Sequence, residues 1–331
     1  LRPSPSKVRT TTCAVNVDAY ELFLQARYYA NHYNDENIQK AIARLNEAIA
    51  IDPDYAEAYA LLAQTHTVNV AGFVNAGTGD YRTGMEKARK LAEKAVALND
   101  NLPAAHVALG ANYALGDWDF AAAVREFERG LELEPNNAEA TSWLALNLTL
   151  LGKFERAEVM FRQALRTDPL STTNLRELAD MYAYSGRCER AQPIYKELLQ
   201  MSSSLARVNG RIALCYLYNE QYELAAEQNA KEPVDWAREF VDILIGIRAH
   251  PDADWRVAAE AYAEKWGRYN SFQLAEIYAW ANDIDGAFEW LRIAREAPDP
   301  GMTSSRVSLL LKPINNDPRW PEHLAAAGLA D

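Results

Sequence analysis

Cysteine, histidine and long apolar runs are all scarce in this chain of 331 residues. The three cysteines, Cys13, Cys188 and Cys215, are too few and too far apart for a disulfide scaffold or a thiolate metal site. We expect reduced thiols, with a Cys188 to Cys215 bridge as the alternative. The longest apolar run, "FVDILIGI", contains Asp242 and is far short of the ~20 residues that cross a bilayer. Basic residues are outnumbered, 34 Lys and Arg against 46 Asp and Glu. The net charge of −12 argues against nucleic acid or an anionic membrane as partner. No phosphate-cradling glycine loop, H-E-x-x-H or G-x-S-x-G is present.

Of the five histidines, His66 and His106 read as packing residues, and His32, near Asp35 and Glu36, as part of a solvated connection. His250 and His323 lie beside proline or near the chain end. No catalytic, cofactor or metal site is expected, and the chain reads as no enzyme. "LRPSPSKVRTTT" opens on Leu1 and lacks the apolar core of a signal peptide, so residues 1–15 are expected to be a flexible linker. The chain then reads as a fragment of something longer or a processed product.

What is abundant is amphipathic periodicity. In "LGKFERAEVMFRQALRTDP", residues 151–169, Ala157, Phe161 and Ala164 share one helical stripe and charged residues fill the rest. Shifting the sequence by 34 residues places Gly152 on Gly186, Phe161 on Tyr195, and Ala157 on Ala191 and then Ala225. Leu144, Leu178 and Ile212 coincide, as do Leu148, Tyr182 and Tyr216. Gly152 marks a turn and Pro169 stops the second helix of a pair.

At these positions the chain resembles the tetratricopeptide repeat, whose signature is W-x2-L-G-x2-Y, A-x3-F, P. The resemblance implies an all-α, right-handed superhelix of helix-turn-helix repeats, in which each pair leaves apolar surface that only its neighbours can bury. We expect units over about 18–55, 56–102, 103–137, 138–171, 172–205 and 206–235, a degenerate unit over 236–268, another at 269–300, and a C-terminal cap at 301–331. A Gly-rich insertion, "TVNVAGFVNAGTGDYRTG", interrupts the second. "NVDAYELFLQARYY", "ALGDWDFAAAVREFERGLELEPN", "YAWANDIDGAFEWLRIARE" and "DPRWPEHLAAAGL" further resemble repeat regions of bacterial signalling proteins, which follow cyclase, winged-helix DNA-binding or kinase domains. The expected reduced thiols point to a cytoplasmic array; because the related signalling proteins vary in layout, a periplasmic array belonging to a membrane-anchored regulator is the alternative.

In this family the first helix of each pair lines a concave groove. Residues expected there are Leu61, Val107, Ala111, Trp143 and Leu146, which are apolar, then Arg176, Tyr184, Arg207, Arg211 and Tyr218. Two readings stand. A peptide or partner domain docks, anchored by Trp143 and Leu146 with the arginines on an acidic group. Otherwise the chain's own terminal segment covers the apolar part and the arginines pair with Glu177 and Asp180. The Lys/Asn/Arg clamp by which some members hold chaperone tails is absent, since Ser142, Leu146 and Asp180 occupy its positions. The implied partners are protein or peptide, with self-association as a further option. In the alternative function the array senses an input and regulates an attached output domain in cis.

Overall fold

The computed structural model describes residues 16–32, 35–70, 81–203, 205–297 and 299–330. The expected linker and the centre of the Gly-rich insertion lie outside them. Every described element is helical, and the chain forms two compact units, one up to Asn112 and the other from Tyr113 onward. The division falls inside the third expected repeat.

In the first unit α1 (Val17–Ala30) pairs with α2 (Asp35–Ile51), and α3 (Ala56–Val70) with α4 (Tyr81–Leu98). Contacts of α3 with both α1 and α2 join the pairs, while α5 (Pro103–Asn112) packs on α3 and α4. Ala19, Ala26, Leu45, Ala48, Ala58 and Leu62 form one buried cluster; small side chains let helices approach while leucines fill the gaps. The buried Asn112 amide donates to the Met85 carbonyl (3.0 Å), tying α5 to α4.

The second unit begins with a π-helical turn, Tyr113–Asp117, and α6 (Phe120–Leu133). Helix pairs follow in chain order: α7 (Ala138–Leu150) with α8 (Phe154–Thr167), α9 (Thr172–Tyr184) with α10 (Cys188–Met201), and α11 (Val208–Tyr218) with α12 (Tyr222–Asn229). Next come α13 (Asp235–Ala249) with α14 (Trp255–Trp266), and α15 (Ser271–Trp280) with α16 (Ile284–Glu296). First helices also meet directly, α7 with α9, α11 with α13 and α13 with α15, as stacked pairs require. The Ala157, Ala164, Ala191, Ala213 and Ala225 positions of the repeat are fully buried, as are Phe161 and Tyr195.

The turns inside the pairs share one device. After α7 and α9 the chain leaves the helix through Gly152 (φ 71°) and Gly186 (φ 76°), and the next amide reaches back to a carbonyl five residues earlier. Those bonds, Lys153 N–H to Leu148 and Arg187 N–H to Tyr182, are each 2.8 Å. The third turn of the series has Glu220 at φ 59°, with the same bond from Gln221 to Tyr216 (2.9 Å). Tertiary packing therefore holds a glutamate in the left-handed region, at a cost of about 1 kcal/mol.

Where the repeat signature fails, buried polar groups replace it. Asn229, fully buried, donates to the Arg238 carbonyl (2.8 Å) and to Asp242 Oδ1 (2.7 Å). Glu232, also buried, accepts from the backbone N–H groups of Arg207 (2.8 Å) and Gly210 (3.0 Å), capping the start of α11. Helices α13 and α14 still form, separated by a connection containing Pro251.

Two sequence expectations change. Cys188 and Cys215 are joined, their Cα atoms 5.4 Å apart, so the reduced-thiol reading gives way to the bridge; neighbouring α10 and α11 present the two side chains to each other. The C-terminal segment does more than cover the last helix. Its 3-10 turns, Pro300–Ser304 and Leu309–Ile314, pack on both α15 and α16, and Leu310 joins the buried cluster containing Leu274 and Ile277. Val307 to Leu309 face the C-terminal ends of α7 and α9 across a cleft of about 340 Å3. Beyond α17 (Trp320–Ala326), Gly328 meets Trp118 so closely that a Cβ would lie 1.7 Å from its carbonyl oxygen.

Glu220→Gly should stabilise the chain by about 0.5–1 kcal/mol, and Gly186→Ala, with open space around the new methyl group, should cost roughly 1 kcal/mol. Denaturant midpoints of the two variants check both signs. Reducing the bridge, which closes a separation of 27 residues, should cost about 3 kcal/mol. Intact-mass measurement after alkylation, with and without reductant, verifies the bridge, and thermal melts give the cost.

Candidate functional site

Helix α9 carries Arg176, Asp180 and Tyr184 one turn apart, so all three share a face. Arg211 of α11 meets them: its Nη2 donates to the Tyr184 hydroxyl oxygen (3.2 Å), its Nε lies 3.5 Å from Asp180, and its guanidinium stacks over the Tyr184 ring at 5.4 Å. The buried Asp180 carboxylate also accepts from the Tyr195 hydroxyl. Burial alone would lower the Arg211 pKa, but the Asp180 charge and surrounding tyrosines outweigh it and hold Arg211 well above its usual range. Burial and the Asp180 charge push Tyr195 up likewise. Arg176 pairs with Glu177 at 3.3 Å. Burial and neighbouring Asp180 raise the Glu177 carboxyl.

Arg207 differs from its neighbours. It has φ 66°, a left-handed conformation uncommon for a non-glycine residue, and its backbone N–H is pinned by Glu232. Its guanidinium makes no hydrogen bond or ion pair among the described residues. Burial and the positive charges of Arg211 and Arg176 lower its pKa. The pairing read from sequence therefore holds for Arg176 and Arg211 and fails for Arg207.

These groups border a pocket of about 80 Å3. Tyr184, Arg207 and Arg211 form its polar side, Trp236, Phe240 and Phe272 its apolar wall, and Ser304 contributes from the C-terminal segment. Glu276 also lines it; its Oε1 accepts from the Ser308 hydroxyl (2.6 Å), a buried hydrogen bond between α15 and that segment. Burial raises the Glu276 pKa to about 7, against the opposing effect of Ser308.

The other residues expected in a groove lie elsewhere. Trp143 is half-buried and stacks on Phe127, the rings 6.0 Å apart and 9° from parallel. Leu146 is half-buried. Tyr218, by contrast, stays with the Arg211 and Tyr184 group, packing edge-on against Trp280 at 6.2 Å. In the first unit Leu61 packs against the core of α1 to α3. Val107 and Ala111 are buried and offer no side-chain surface, because α5 packs on both α3 and α4. The structure thus brings together Arg176, Tyr184, Arg207, Arg211 and Tyr218, and does not gather the apolar residues with them. Sequence reasoning missed Glu232, Glu276, Ser308 and Trp236. Glu232 and Trp236 sit where the repeat signature is lost, and Ser308 lies in the C-terminal segment, outside the repeats. Among the described residues no group of three or more His, Cys, Asp and Glu could hold a metal, and no helix is long and apolar enough to cross a membrane.

Successive helix pairs, stacked in order and left through left-handed turns at a spacing of 34 residues, define an α-solenoid of helix-turn-helix repeats. Residues 32–67 and 114–179 match the tetratricopeptide repeat family, so tetratricopeptide repeats are present in these segments. It is 23% identical over 302 residues to transcriptional regulator HilA of Salmonella typhimurium, a match covering 81% of this chain and 53% of HilA. The chain thus spans about half the length of that curated relative. Tetratricopeptide repeat protein 8 of Caenorhabditis elegans is 26% identical over 104 residues, 31% of this chain and 21% of that protein. Among solved structures, a tetratricopeptide repeat protein from Parabacteroides merdae is 15% identical with a TM-score of 0.56, covering 80% of this chain and 99% of its own. PilW, a widely conserved type IV pilus biogenesis factor, is 16% identical with a TM-score of 0.53, over 72% of this chain and 97% of its own. At these identities the structural likeness is one of fold.

Because Glu276 titrates near 7 in the folded chain and at about 4.5 unfolded, its neutral form stabilises the fold below the unfolded value, and that contribution is lost as pH rises through 7. Glu276→Gln should therefore be more stable than the parent chain at about pH 8 and little different at about pH 4. Calorimetric melts of both proteins across this range read the difference.

Proposed function

We propose that this chain is a non-enzymatic interaction module of a bacterial regulatory protein, and that a peptide or partner domain docks on the face lined by the first helices of the second unit. The observation that carries this reading is the concentration of Arg176, Tyr184, Arg207, Arg211 and Tyr218 on that face, with the Arg207 guanidinium free of hydrogen bonds and ion pairs among the described residues. An acidic group on the partner supplies the missing counter-charge. Part of the face already carries residues 304–312, so the partner either binds beside this segment or displaces it. The Cys188 to Cys215 bridge favours the periplasmic setting over the cytoplasmic one, because such a bond persists in an oxidising compartment.

A second reading, in which the array regulates an attached output domain in cis, is favoured by the match to HilA. That regulator is about twice the length of the region matched, leaving room for another domain in a protein of the same plan.

The test is capture of proteins from lysate of the source organism by the wild-type chain and by an Arg176→Glu, Arg207→Glu double variant. Both sites are partly solvent-exposed, so the variant should keep its fold, as a melt verifies. A protein held by the wild type and lost by the variant supports docking. Capture of nothing by either sinks it in favour of cis regulation.

A further inference from the structure

Arg207 combines three features that packing alone does not require of a surface arginine. Its backbone is held left-handed, its guanidinium is unpaired beside two arginines that are paired, and it stands at a pocket with an aromatic wall. Backbone strain of this kind costs of order 1 kcal/mol or more and persists only where surrounding structure fixes it, here the Glu232 carboxylate on the Arg207 and Gly210 amides.

The charges select the ligand. Arg176 is answered by Glu177, and Arg211 by Asp180 and Tyr184; among the described residues the Arg207 guanidinium alone of the three has no hydrogen bond or ion pair, while Glu232 reaches the Arg207 backbone N–H and Glu276 lines the same pocket. A monoanion balances the Arg207 guanidinium. A phosphate dianion would carry a second charge toward Asp180 and Glu276. Size decides next: a cavity of about 80 Å3 is roughly half the volume that admits benzene in an engineered protein core. That leaves room for a carboxylate on an apolar body of a few carbons, set against Trp236 and Phe272.

We propose that this pocket binds a small organic monocarboxylate of about the size of butyrate, with Arg207 holding the carboxylate and Trp236, Phe240 and Phe272 enclosing its apolar body. Arg211, fixed by Asp180 and Tyr184, adds a second positive edge without rearranging. The bound molecule also adjoins Ser304, a few residues from the Ser308 to Glu276 hydrogen bond, so occupancy is felt by the C-terminal segment. The inference does not rest on the docking reading; a small carboxylate and an acidic group of a partner would compete for Arg207, so butyrate binding is measured on the isolated chain.

The test is titration of the purified chain with butyrate, followed through the indole N–H resonance of Trp236, assigned by its loss in Trp236→Phe. A saturable shift with butyrate, absent with butyramide and with inorganic phosphate, is the expected result. Arg207→Asn removes the guanidinium while suiting the left-handed backbone, so the fold should hold; butyrate affinity should fall about tenfold or more, with Arg207→Lys intermediate. The proposal is overturned if butyrate gives no saturable shift, if butyramide binds as well as butyrate, or if Arg207→Asn binds butyrate within about twofold of the parent chain.

Discussion

A pair of short antiparallel helices cannot bury both sides of its own apolar stripe, and the rest of this structure follows from that constraint. Each pair must be covered by the next, so consecutive pairs need the same exit angle. The left-handed turns supply it. The Glu220 turn keeps the geometry that Gly152 and Gly186 adopt without steric cost, so stacking, not local preference, sets the turn. A cost of about 1 kcal/mol at that turn is tolerated because a misdirected pair would expose several large side chains, at about 1.5–3 kcal/mol each.

The same constraint explains the C-terminal segment. First helices leave one face open, and a segment containing Val307, Leu310, Leu311 and Ile314, all buried, lies against part of it. Its attachment is mixed: Leu310 enters an apolar cluster, while Ser308 uses a hydroxyl on a carboxyl group whose pKa burial raises to about 7. Such a seam is specific in register yet responsive to charge. The pocket at Arg207 lies where this segment, α11, α13 and α15 converge. Glu232 could not cap α11 if the connection after α12 followed the regular repeat.

Most of the fold was legible because it is periodic. Alanines at Ala157, Ala191 and Ala225, with Phe161 and Tyr195 between them, announce a buried helical stripe, and they are buried. The site was legible only in part. Arg176, Tyr184, Arg207, Arg211 and Tyr218 could be placed on one face because repeat position fixes side-chain direction. Val107 and Ala111 failed because α5 has helices on two sides, and repeat position does not reveal that. Trp143 was read as a free anchor because its stacking on Phe127, a residue of the preceding pair, carries no sequence signal. Glu232 and Glu276 were invisible for a different reason: a carboxylate in an amphipathic helix or a polar connection ordinarily faces water.

The account depends most on the C-terminal segment being seated on the repeats of the second unit. Hydrogen–deuterium exchange of the intact chain tests this directly, read on the amides of Leu310 to Ile314 and of α15. If the segment is an integral part of the face, its amides are protected and exchange together with those of α15. Exchange of Leu310 to Ile314 at the rate of a free peptide, with α15 still protected, would contradict it.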